Sequence, residues 1–248
     1  MSFLSQIVTT QVLVHRKRAS QRSKKRLWDE AAKALDDDDD SKLDLGILQS
    51  HVTINDVHAA VQQKLDQCES KRWQYTKSDG EKVVLYKVLQ RIVKWVNKFR
   101  EIGDIAMQYD PAHAALPWAA VRFLLQGAVN SMETFGVMVE GLELTSRVIA
   151  VYAEVERNCL RGFSKLKTHL ANRIIVLYSA ILRYLARASH YFDQSTSKRV
   201  LRGAFQTFRS SVSPWLDRIK EAEMEVSKLV ELVQAEGSFD LPYKHPLN

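Results

Sequence analysis

Few residues in this chain stand close enough in type and spacing to do chemistry. His51 and His58 lie seven apart with Asp56 between them, and a helix through both would bring two imidazoles toward one face, the beginning of a metal site. Thr53 spoils that reading, because it is the natural cap of the helix and leaves His51 outside it; solvated histidines are the simpler account. Asp110 and His113 sit at an irregular turn where a carboxylate and an imidazole can converge as an acid–base pair, yet an aspartate directly before Pro111 more naturally forms a helix cap or an Asx turn. The two cysteines, Cys68 and Cys159, are too far apart in sequence to staple a small fold and read as reduced thiols. No G-x-x-x-x-G-K-[ST] loop is present to cradle phosphates, and no G-x-S-x-G elbow to present a nucleophile. The expectation is a protein without catalysis, metal or cofactor.

The elements that would position any site are helical. With 9 Gly and 5 Pro in 248 residues, the punctuation that sandwiches and barrels need is missing, while 46% hydrophobic content is enough for one sizeable core. The net charge of +7 is local: residues 16–26, RKRASQRSKKR, hold seven of the 36 basic residues and no acid, leaving 29 to balance 29 carboxylates. Arg16, Lys17, Arg18, Arg22, Lys24, Lys25 and Arg26 are therefore candidate contacts for an anionic lipid surface or a partner, whereas a nucleic-acid groove would need a basic face across the fold. The apolar N-terminus precedes this run, the reverse of a secretory signal, and no window approaches 18 consecutive apolar residues.

Along the chain, Leu27, Trp28, Ala31 and Leu35 form an apolar stripe that docks a short helix as an arm, followed by a solvated loop at Asp36–Asp40. Thr53 caps a helix bearing Val57, Val61, Leu65 and Cys68, with KSDG at 77–80 as a turn. A helix from Glu81 to near Tyr109 carries Leu85, Val88, Leu89, Ile92, Val96 and Phe99. Ser131 opens a helix in which Gly136 and Gly141 require close approach of a neighbour. The stripe Phe163, Leu166, Leu170, Ile174, Leu177, Ile181, Leu185 and Ala188 defines the next. A shorter helix with Phe205 and Phe208 is expected before Ser213, which would cap a last helix with Pro214 in its first turn and Gly237 at its end. No strand pattern stands out. The fold expected is an all-α bundle of about seven or eight helices: a mobile N-terminal arm over 1–50, the bundle over 51–236, and a tail over 237–248.

Between residues 109 and 126 the sequence reads YDPAHAALPWAAVRFLLQ. Pro117 fits the first turn of a helix running from about Leu116 to Val129, and Trp118 is a large anchor whose indole N–H seeks a carbonyl. This stretch, continuing into GLELTSRVIAVYAEVE, resembles the N-terminal helical domain of fungal NACHT-type STAND proteins, NLR-like intracellular receptors in which such a domain precedes a nucleotide-binding oligomerisation domain and repeats. Asp110, Pro111, His113, Pro117 and Trp118 carry the resemblance. It implies a cytoplasmic effector module that signals by self-association or by binding a protein partner, as in programmed cell death or non-self recognition, and it supplies no catalytic residues. The alternative is a membrane-targeting or membrane-permeabilising domain using the apolar and basic N-terminal segment.

Overall fold

The computed structural model describes residues 27–35, 52–77, 80–106, 115–127, 131–193 and 204–239. The architecture is all-α: seven helices and one small hairpin among the described residues. In chain order these are α1 (27–35), α2 (Ile54–Lys71), β1 (Gln74–Thr76), β2 (Lys82–Val84), α3 (Leu85–Ala106), α4 (Ala115–Gln126), α5 (Met132–Cys159), α6 (Lys165–Asp193) and α7 (Ala204–Phe239).

The helix starts follow local chemistry. Thr53 accepts from the Asp56 backbone N–H, and the Asp56 carboxylate accepts from the Thr53 backbone N–H at 2.8 Å, a reciprocal capping box. The same bonds hold the Asp56 carboxyl below its ordinary pKa. Ser131 caps α5 through the Thr134 N–H at 3.3 Å. Arg72, in the left-handed region at φ 49°, closes α2.

Cross-helix bonds fix the directions. Trp95 and Arg91 of α3 reach Glu143, and Lys98 reaches Glu154, so α3 and α5 are parallel. Arg147 of α5 grips Glu223 of α7 with two bonds of 2.7 Å, and Tyr152 reaches Ser227 at 3.2 Å, so these are parallel too. Arg173–Glu225 and Ser164–Glu236 make α6 and α7 antiparallel. The result is three hairpins side by side, α2/α3, α4/α5 and α6/α7, with α3, α5 and α7 in one layer and α2, α4 and α6 in the other. The core lies between the layers.

Close approach within this core depends on two glycines of α5. A Cβ on Gly136 would strike the ring of Tyr75, and one on Gly141 would strike the hydroxyl of Tyr184, which donates to the Met138 carbonyl at 3.0 Å. The expected close contacts at both glycines are therefore present, and each is filled by a tyrosine.

Three expectations need correction. A hairpin occupies 74–84, with Tyr75 paired to Val83 and both side chains buried; three-residue strands are too short to display an alternating pattern, and they delay α3 to Leu85. Residues 204–239 form one helix with Pro214 inside it and Gly237 within its last turn, where two helices with a break, the second ending at Gly237, were expected. Phe208 and Val212 before the proline and Ile219 after it are all fully buried, so packing on both sides holds the helix through a residue that ordinarily costs about 3 kcal/mol in a helix interior. Phe163 is 91% exposed. Ser164 caps α6 by accepting from the Lys167 N–H at 3.1 Å, which leaves Phe163 outside the helix and off its buried stripe.

Candidate interaction site

The helix α1 has nine residues, too few to be stable alone in water. Its order comes from docking: Leu27, Trp28, Ala31 and Leu35 point into the fold and are buried, as the stripe predicts. Trp28 stacks flat on Tyr178 of α6, with ring centroids 3.7 Å apart and planes within 6°. Ser179 donates to the Ala31 carbonyl at 3.2 Å, and Arg183 donates to the Ala34 carbonyl at 3.2 Å. The three contacts rise together along both helices, so α1 runs parallel to α6. Arg183 sits where a cation is favoured, at the C-terminal carbonyls of α1.

Behind this seam lie further polar contacts. The Tyr178 hydroxyl donates to the carboxylate of Glu156 on α5, a buried acid. Burial, with the Glu156 charge beside it, raises the Tyr178 pKa far above its ordinary value, so the phenol stays protonated and works as a donor. On the flank, the guanidinium groups of Arg183 and Arg187 lie 5.0 and 5.8 Å from the ring of Trp215 on α7. One aromatic stack, two carbonyl clasps and an arginine–tryptophan flank together make a groove that receives an amphipathic helix.

Other titratable groups join neighbouring elements of the fold. Tyr75 donates to Glu140, which also meets Lys77 at 3.3 Å. Lys64 is buried, donates to the Gly127 carbonyl at 3.2 Å and lies 5.6 Å over Phe135; desolvation lowers its pKa. Cys68, one turn on, is fully buried, and burial pushes its thiol up to about 11, so it is a core thiol and a poor nucleophile. A groove of about 660 Å³ runs along α3, lined by Leu65, Gln90, Val93, Lys94, Asn97, Lys98 and Glu101, and none of the buried tyrosines opens onto it. Among the described residues, no three His, Cys, Asp or Glu side chains are grouped to hold a metal. No helix among them is long and apolar enough to cross a membrane.

Of the sequence motif, Pro117 is the third residue of α4, where its missing N–H costs no helical bond, and Trp118 is buried against Phe99 at 5.1 Å. The indole N–H of Trp118 finds no hydrogen-bond partner among the described residues, contrary to the expected carbonyl. Ring packing on Phe99 sets its orientation, and the carbonyls of the surrounding helices are occupied by their own ladders. Asp110, Pro111 and His113 lie outside the described residues, as do Arg16, Lys17, Arg18, Arg22, Lys24, Lys25, Arg26 and His51. Sequence reasoning missed Tyr178, Glu156, Arg183, Arg187 and Trp215. Arg183 and Arg187, one turn apart on the polar side of the α6 stripe, were a usable signal; the Tyr178–Glu156 pair was not, since it depends on which faces of α5 and α6 meet.

The fold is thus an all-α bundle whose polar groups join helices, with α1 of the same chain docked on α6. The chain belongs to a family defined by a domain of unknown function, DUF7708, whose model matches residues 87–236. The match spans α3 to α7 and so includes the α6 face that receives α1. Comparison with curated proteins and with solved structures gives no match.

Proposed function

We propose that this chain is a non-enzymatic interaction module that works by exchanging a helix in the α6 groove, acting in the cytoplasm beside a NACHT-type nucleotide switch and signalling through self-association or a protein partner. The observation that carries the reading is the docked α1: a nine-residue amphipathic helix held by one stack and two carbonyl clasps is a recognition event of the helix-in-groove kind, performed within one chain. The resemblance through Pro117 and Trp118 supports the receptor setting. Nucleotide would be the business of the neighbouring switch in that setting.

The test is a titration of a peptide spanning residues 24–38 into the full chain carrying Trp28→Ala, and into the unaltered chain. The altered chain, its own arm loosened, is expected to bind one peptide, and the unaltered chain to bind far more weakly because its groove is filled. Equal binding to both, or binding to neither, contradicts the reading. Tight ATP binding by the purified chain would contradict it as well.

A further inference from the structure

The turn between α5 and α6 is exposed at Arg161, Gly162 and Phe163. Gly162, at φ +77°, reverses the chain there, and the next residue, Phe163, projects with 91% of its surface in water. Because Ser164 is the cap of α6, Phe163 stands one residue outside the helix and cannot join its apolar stripe. A single exposed apolar side chain is ordinary on a protein surface; what sets this ring apart is its place at the apex of a turn crowded with cations.

Its surroundings are cationic. Residues 157–167, RNCLRGFSKLK, contain Arg157, Arg161, Lys165 and Lys167 and no acid. Arg161 and Lys165 are exposed, and the other two half-exposed. The Arg161 Nε donates to the Arg157 carbonyl at 2.7 Å and the Lys167 Nζ to the Arg161 carbonyl at 2.7 Å, so the side chains that close the turn also hold positive charge around the ring. One acid, Glu236 of α7, lies beside the turn and accepts from the Ser164 hydroxyl at 2.9 Å.

We propose that this turn docks the domain peripherally on an anionic lipid surface, with Phe163 entering the boundary between headgroups and acyl chains and the four cations meeting the headgroups. The site is distinct from the α6 groove and goes beyond the helix-exchange reading. Charge complementarity selects the partner class, and shape narrows it. Single-stranded nucleic acid is held in a groove with several stacking rings, whereas this turn is convex and carries one. A bilayer accepts a lone protruding ring with a cationic collar. The parallel course of α1 along α6 places Leu27, its first described residue, at the end of α1 nearer to this turn.

Vesicle flotation tests the proposal with the full chain in about 0.1 M salt, comparing phosphatidylcholine vesicles with vesicles containing phosphatidylserine. Binding is expected only to the anionic vesicles. Phe163→Ala should weaken it roughly fivefold or more, and Arg161→Glu with Lys165→Glu roughly 20-fold or more, since each cation at such a surface is worth about fivefold in partitioning. Thermal melts of these variants should lie close to that of the unaltered chain, because neither alteration touches the core and the Arg161 bond that is lost is a single exposed one. A third variant, with the seven basic residues of 16–26 changed to Gln, should keep the dependence on Phe163. No binding to anionic vesicles, binding indifferent to Phe163 and to the two cations, or binding that depends on residues 16–26 alone would overturn the proposal.

Discussion

The two ends of α6 contrast in burial. Toward the C-terminus, Tyr178, Tyr184 and Leu185 are buried, every described hydroxyl of that pair of tyrosines has an acceptor, and α1 lies across the outer face. At the N-terminus, Phe163 and Lys165 stand in water around a glycine turn. One helix thus serves as structural spine at one end and as an open surface at the other. The division teaches where substitution should be felt in stability and where only in binding.

The sharpest way to break the buried end is Gly141→Val. The new side chain meets the Tyr184 hydroxyl, which has nowhere to move without losing the Met138 carbonyl, so a loss of about 3 kcal/mol or more is expected in urea unfolding. Tyr178→Phe removes the donor to Glu156 while keeping the stack on Trp28. It should cost about 1–3 kcal/mol by the same measurement, because a buried carboxylate loses a hydrogen bond.

A smaller effect belongs to neither end and calibrates both. Thr53→Ala deletes the cap of α2 and should cost about 1 kcal/mol. Its partner Asp56 has a folded pKa below the unfolded one, so its contribution is present above the unfolded value of about 3.9 and fades as pH falls through the folded value. Thr53→Ala should therefore lessen the acid-side loss of stability in a pH series of melts. Smallest of all, Phe163→Ala should leave unfolding within about 0.5 kcal/mol of the unaltered chain. A large loss there would erase the contrast between the two ends.

Much of this organisation was legible because helices advertise a buried face. The stripe Leu27–Trp28–Ala31–Leu35 predicted a docked arm, Thr53 and Ser131 announced their helices, and Gly136 and Gly141 signalled close approach. What failed were local rules overridden by packing. Pro214 argued for a break, but Phe208, Val212 and Ile219 bury one continuous face through it. Phe163 matched the period of the α6 stripe, yet Ser164 was the residue to weigh, since a cap marks where a stripe begins. The strands at 74–76 and 82–84 were too short to carry a period. Of the residues singled out for the candidate site, Pro117 and Trp118 proved to be packing elements of α4, while the grooved face of α6 could not be read, because it is made by the meeting of three helices and not by any motif.

The docking of α1 on α6 is the claim on which the functional reading rests, and amide hydrogen exchange of the full chain tests it most directly. In the unaltered protein the amides of 27–35 should be protected well beyond those of an isolated nine-residue helix. Trp28→Ala should abolish that protection while α6 keeps its own. Equally fast exchange of 27–35 with and without Trp28 would mean that the arm is not held, and would contradict the account.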